Sequence, residues 1–162
     1  MPVGQLLLIR HAQAVSEIED PERPLSAEGR QQAKQTGSII SRVLPQVDVI
    51  YHGSKRRAEE TAEILAAAIE SENGVRWRSG LNPNDPVDQI MKELDAEGHK
   101  RVMIVGHLPF LGHLASRLLT GTVGPRTVRF APASAANLTR SGKRWKLVWM
   151  VNPTLAEPVT RS

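Results

Sequence analysis

Two short stretches of the chain are apolar at every position, Leu6–Ile9 and Val102–Val105. Such a run leaves no polar face for water, so both are predicted to be strands buried between two layers. Each stops abruptly, the first at Arg10-His11-Ala12 and the second at Gly106-His107-Leu108-Pro109. Elsewhere the apolar positions recur with helical spacing. Ser26 is placed to cap a helix with Glu28 in its first turn, and the pattern carries it to Val43, with Ala33, Ile40 and Leu44 near one face. A second helix is predicted from about Lys55 toward Glu70, burying Thr61, Ile64, Leu65, Ala68 and Ile69. A third starts at Asn84-Asp85-Pro86, with Asp85 as cap and Pro86 at the first helical position, and stops before Gly98. A fourth runs from about Pro109 to Thr120, closed by Gly121, with Phe110, Leu111, Leu114, Ala115, Leu118 and Leu119 as its buried stripe.

Weaker strand signals lie at Val47–Tyr51 (with Asp48 against it), Val75–Arg78, Val128–Phe130, Ala135–Thr139 and Trp145–Val151. Arg140-Ser141-Gly142-Lys143 reads as the hairpin turn between the last two. Strands alternating with helices, then a terminal hairpin, predict an α/β fold. The expected form is a three-layer α/β/α sandwich whose mostly parallel central sheet has an antiparallel C-terminal edge. There is no repeat, low-complexity tract or long linker, so residues 1–162 are read as one domain.

Composition narrows the chemistry. Hydrophobic residues make up 40% and charged residues 23%, which excludes wholesale disorder. Cysteine is absent, so disulfides, thiolate metal sites and a cysteine nucleophile are excluded. A net charge of +4 points to an anionic partner. Three Trp, one Tyr and two Phe are few for stacking on unpaired bases, and no nucleic-acid motif is present. The apolar run behind the N-terminus is too short for a signal peptide or a membrane span. The expectation is therefore a cytoplasmic monomer that engages neither membrane nor nucleic acid.

Strand ends are where open α/β sheets bind ligands. His11 and His107 each follow one of the two most apolar strands, so both are expected on the same sheet edge. The helix behind His107 turns its N-terminus to that edge, and Arg10 adds a guanidinium fork suited to phosphate oxygens. Arg57 comes from a third strand-to-helix junction of the same polarity, and Arg23 from the loop after His11. A neutral imidazole can attack phosphorus while arginines neutralise the equatorial oxygens, with no cofactor or metal required. Taken singly, each of these residues reads as an ordinary loop or surface position; their joint placement carries the inference. His113 lacks zinc-pair spacing from His107, and His52 and His99 are expected at the surface. Lys55-Arg56-Arg57 and Lys143-Arg144 read as solvated faces rather than nucleic-acid patches.

Four segments resemble the histidine phosphatase superfamily, and within it the short SixA-type phosphohistidine phosphatases. They are Leu8-Ile9-Arg10-His11-Ala12, Asp20-Pro21-Glu22-Arg23-Pro24-Leu25-Ser26-Ala27-Glu28-Gly29, Arg57-Ala58-Glu59-Glu60-Thr61-Ala62 and Val105-Gly106-His107-Leu108-Pro109. The resemblance extends over essentially the whole chain and implies a phosphoglycerate mutase-like sandwich. It further implies a metal-independent hydrolase with His11 as phosphate acceptor, Arg10, Arg57 and His107 in the phosphate pocket, and Arg23 as an added ligand. Ala12 and Gly53 depart from residues common in the superfamily, and no equivalent is found of the carboxylic acid that protonates an ester leaving group. Asp85 is nearest by position but reads better as a helix cap. An imidazole leaving group depends less on such an acid. The favoured substrate is thus a phosphohistidine-bearing protein, such as a phosphorelay or phosphotransfer carrier. A small-molecule phosphomonoesterase and a non-catalytic phosphate- or RNA-binding domain are the alternatives.

Overall fold

The computed structural model describes residues 3–96, 98–124 and 126–156. Its centre is β1 (Gln5–Arg10), which pairs in parallel with β6 (Arg101–Gly106) on one side and antiparallel with β7 (Ala135–Ser141) on the other. Beyond β6 lie β3 (Val49–His52) and β5 (Val75–Trp77), both parallel, and beyond β7 lies the antiparallel β8 (Arg144–Val151). The sheet order is β5-β3-β6-β1-β7-β8, a mostly parallel sheet with an antiparallel C-terminal edge.

The all-apolar strands have the physical reason expected of them. Leu6 and Leu8 pack into the core shared with α3 (Asp88–Ala96) and α4 (Phe110–Thr120), whereas Leu7 and Ile9 pack into the opposite core. That second core is shared with α1 (Ala27–Val43) and α2 (Arg56–Ala66). All four apolar side chains of β1 are fully buried, each contributing about 1.5–3 kcal/mol by removal from water. Ser26 caps α1 by accepting from the Gly29 N–H at 3.0 Å, and Gly121 ends α4 at a φ of 85°. Phe110, Leu111, Leu114 and Ala115 are buried, with Leu118 and Leu119 partly so. Among the described residues no helix is long and apolar enough to cross a membrane.

Five local expectations are corrected. Asp48 breaks the Val47–Tyr51 run because its carboxylate accepts from the Lys100 and Arg101 N–H groups, at 2.6 and 2.9 Å. The residues before it form β2 (Gln46–Val47), which joins β4 (Glu70–Ser71) in a separate two-stranded parallel sheet. The second helix stops at Ala66, since the chain must turn for Glu70 N–H to reach the Pro45 carbonyl; Ile69 is buried in that turn but Ala68 is exposed. Asp85 is not a helix cap: it accepts from Asn82 N–H at 2.9 Å, and the third helix begins at Asp88, ending at Ala96 before Gly98. Val128–Phe130 is no strand. Its apolar side chains are buried, but the Phe130 carbonyl is used by the Arg10 guanidinium instead of a ladder partner. His52 is 6% exposed rather than a surface residue, with Nδ1 2.8 Å from the Gly53 carbonyl oxygen.

Gly29 sets how closely α1 approaches the loop after His11. A Cβ there would lie 1.9 Å from the Gln13 carbonyl oxygen, so backbone would have to move. Gly29→Ala should therefore lower unfolding free energy by about 1–3 kcal/mol, read as a reduced urea midpoint. An unchanged midpoint would show that the Gln13 loop yields freely.

Candidate active site

The site is built at the C-terminal ends of three adjacent parallel strands. Arg10 closes β1 and His11 follows it; His107 follows β6; the chain leaving β3 enters α2, whose first turn carries Arg57. Arg10 pairs with Gly106 in the sheet register, and the His11 N–H donates to the Gly106 carbonyl at 2.9 Å. The two histidines, remote in sequence, consequently meet: their ring centroids are 5.1 Å apart and their planes inclined by 52°.

The backbone around His11 is held at every amide. Arg10 N–H donates to the Ser134 carbonyl (3.1 Å), Ala12 N–H to Thr61 Oγ1 (3.0 Å) and Gln13 N–H to Gln32 Oε1 (3.0 Å). Ala133, at a φ of 61°, turns its own N–H to the Arg10 and His11 carbonyls, while Thr36 Oγ1 donates to the Ala133 carbonyl at 2.8 Å. Thr61 also donates to the Arg57 carbonyl at 2.8 Å, tying the turn that carries Arg57 to the loop that carries His11. Glu60 extends the same tie, accepting from Leu25 N–H at 2.9 Å and from Arg30 at 2.6 Å.

His11 Nδ1 lies 2.7 Å from the Ala12 carbonyl oxygen. A carbonyl can only accept, so Nδ1 bears the hydrogen and Nε2 of the neutral ring keeps its lone pair. Burial pushes the His11 imidazole down to about 4, against the local backbone hydrogen bond and with help from the Arg57, Arg10 and Arg23 charges. Burial pushes His107 down to about 3, assisted by His11, Arg57, Lys55 and Arg10. His107 is 1% exposed, and neither ring nitrogen has a hydrogen-bond partner among the described residues. The buried Nε atoms of Arg10 and Arg57 likewise lack partners, although Arg10 Nη1 donates to the Phe130 carbonyl at 3.0 Å. Burial also lowers both guanidinium pKa values. Unpaired, desolvated donors around two neutral rings suit a tetrahedral oxyanion.

The five sequence-identified residues do not stand equally close. His11 and His107 are in ring contact, and the charges of Arg10 and Arg57 act on both. Arg23 flanks the pair from the loop, at a φ of 48°, with Nε bonded to the Val15 carbonyl at 3.0 Å and its charge acting on His11 and Arg57. Sequence reasoning missed the contribution of Lys55, whose charge reaches His107, and of Glu17, whose charge acts on Arg57. Lys55 is separable from its basic neighbours only by contacts: Arg56 is engaged by Glu22 at 2.9 Å and Glu60 at 3.9 Å. Asp85 is occupied at Asn82, and the side-chain charges acting on the two histidines belong to Arg10, Arg23, Arg57, Lys55 and, for His107, His11, with no carboxylate among them. Among the described residues no cluster of three His, Cys, Asp or Glu side chains could hold a metal ion.

The family model of the histidine phosphatase superfamily (branch 1) matches residues 6–82. The chain is 25% identical over 153 residues to the phosphohistidine phosphatase SixA of Escherichia coli K12, covering 92% of this chain and 94% of that protein. It is 29% identical over 154 residues to the SixA homolog of Haemophilus influenzae, covering 88% and 92%. Among solved structures, a protein histidine phosphatase SixA complexed with tungstate superposes with a TM-score of 0.82 at 21% identity, over 94% of this chain and 99% of that one. The α-ribazole phosphatase of Shigella flexneri superposes with a TM-score of 0.69 at 17% identity, over 97% and 100%.

Both imidazoles should titrate below their ordinary 6.5, near 4 for His11 and near 3 for His107, as followed by the ring C–H proton resonances. The unfolded chain then binds more protons in that interval, so the unfolding free energy should fall as pH drops from 6.5 through 4 toward 3. Midpoints at 6 to 7 in the free protein, roughly the solvent-exposed value, would remove the neutral nucleophile.

Proposed function

We propose that this chain, which belongs to the histidine phosphatase superfamily, removes phosphoryl groups from phosphohistidine side chains of proteins through a phosphoenzyme on His11. The observation that carries the reading is the His11–His107 pair, 5.1 Å between centroids, with Nδ1 of His11 fixed on a carbonyl. Nε2 attacks phosphorus, a bond from Nε2 to phosphorus forms, and the bond from phosphorus to the substrate imidazole breaks. The departing ring leaves with the electron pair and is neutral once protonated at its other nitrogen. Water then displaces His11 from phosphorus and releases inorganic phosphate, regenerating the neutral ring.

Arg10 and Arg57 take the equatorial oxygens, each with a buried Nε free to donate, and His107 donates a ring N–H to the same group. Arg23 and Lys55 add positive potential from the flanks. The cationic surround favours a substrate whose leaving group needs no carboxylic acid nearby, and a phosphoimidazole satisfies that. The SixA relatives bear the name phosphohistidine phosphatase, and the tungstate in one of them is a tetrahedral oxyanion like phosphate. Both lend support. On this reading the chain acts as one domain and its partner is a phosphohistidine-bearing carrier protein.

Incubation with a phosphorylated histidine-carrier domain should place acid-labile phosphate on His11, and His11→Ala should abolish both labelling and turnover. Arg57→Ala should lower turnover by about 10²–10³, the cost of losing one transition-state donor. A phosphorylated His11→Ala protein would transfer the nucleophile to another residue. Turnover of a sugar phosphate far above that of the phosphohistidine domain would favour the small-molecule phosphomonoesterase.

A further inference from the structure

A groove of about 600 Å³ shares Arg10 with the phosphate site. One wall is Leu108 and Pro109, between His107 and α4; the other is the irregular segment that carries Arg126, Arg129 and Phe130. Arg126 and Arg129 are exposed, and no acidic side chain is among the described lining residues. The segment is not a loose flap. Val128 and Phe130 are buried in the core, and the Phe130 carbonyl accepts from Arg10 Nη1 at 3.0 Å, so the wall is fixed to a phosphate-binding residue.

Arg10 belongs to both the groove and the phosphate site, so atoms next to a phosphoryl group held by Arg10 are within reach of the groove. The groove's charge and its half-apolar surface then define those atoms. We propose that it receives an acidic segment flanking the phosphohistidine of the substrate protein, with carboxylates against Arg126 and Arg129 and an apolar side chain on Leu108, Pro109 and Phe130. The assignment rests on the phosphohistidine reading above and adds to it the sequence character of the substrate. Such charges act mainly through capture, so their removal should appear in KM and in salt dependence.

The test uses two synthetic peptides that share a central histidine phosphorylated with phosphoramidate, flanked by glutamates in one and lysines in the other, beside free phosphoimidazole. The wild-type protein should prefer the glutamate-flanked peptide by about tenfold or more in kcat/KM, through KM, and the preference should fade between about 0.1 and 1 M salt. The Arg126→Glu/Arg129→Glu variant should lose or invert that preference while hydrolysing phosphoimidazole within about twofold of wild type. Equal turnover of both peptides by the wild type, or a preference unchanged in the variant, would overturn the groove assignment. Arginine-dependent binding of a single-stranded RNA oligomer without a peptide preference would reassign the groove to nucleic acid. A wild-type protein inert toward phosphoimidazole and both peptides would instead remove the phosphohistidine reading on which the assignment depends.

Discussion

Positive charge is concentrated where the protein supplies little to neutralise it, and the architecture is organised around holding it there. Arg10 and Arg57 are partly desolvated, each has a buried Nε without a partner, and Arg23 repels Arg57 from the flank. A buried donor left unpaired costs about 1–3 kcal/mol, and the repulsion adds to it. What offsets that cost lies elsewhere, in the two apolar cores that sandwich β1 and β6. The hydrogen-bonded amides from Arg10 to Gln13 then convert core stability into position: the loop cannot relax away from its own repulsion without breaking them. Donors aimed in advance at a future oxyanion require no reorganisation when it forms.

Strand adjacency makes so short a chain sufficient. Because β3, β6 and β1 are neighbours and parallel, three consecutive sheet positions deliver Arg57, His107 and Arg10-His11 to one edge without long excursions. Antiparallel pairing of β7 serves a different purpose. The chain entering it brings Ala133 and Ser134 over the end of β1, closing the backbone of Arg10 and His11 from the other side. The segment before Ala133 lines the groove, and its Phe130 carbonyl is tied to the Arg10 guanidinium at the end of β1.

Much of this was legible because local pattern and global fold agree. The all-apolar runs, the Ser26 cap, the Gly121 stop and the terminal hairpin each follow from residues within a few positions. The histidines could be assigned to one edge before any coordinates, since strand polarity alone dictates it. What escaped depended on partners far along the chain. Asp48 divides a strand because of amides at Lys100 and Arg101, and Val128–Phe130 leaves the sheet because its carbonyl serves Arg10. Thr61 read as part of a buried helical stripe, and it is buried, yet its hydroxyl links the His11 loop to the Arg57 turn. Nothing in the spacing of the second helix distinguishes that hydroxyl from a packing group. Asp85 illustrates the converse error: an Asp-Pro pair satisfies the rule for a helix start, but Asn82 lies close enough to claim the carboxylate first.

The electrostatics also bear on which bond the site is suited to break. Burial, with the surrounding cations adding to it, favours the neutral forms of both histidines, which suits a nucleophile but leaves neither ring as a ready proton donor at neutral pH. An alkoxide leaving group would need a proton from elsewhere, and Asp85 is engaged at Asn82. A phosphoimidazole differs in kind, because its ring can take a proton from solvent at the nitrogen remote from phosphorus before the bond breaks. On the proposed reading, the cations that add to burial in keeping His11 deprotonated also attract the anionic substrate, so nucleophile activation and substrate capture share part of their source. A change that weakens the cluster should therefore impair both together. Arg126 and Arg129 are not among the charges that lower either histidine pKa, so on the proposed reading they act on the substrate's flanking residues rather than on the imidazoles.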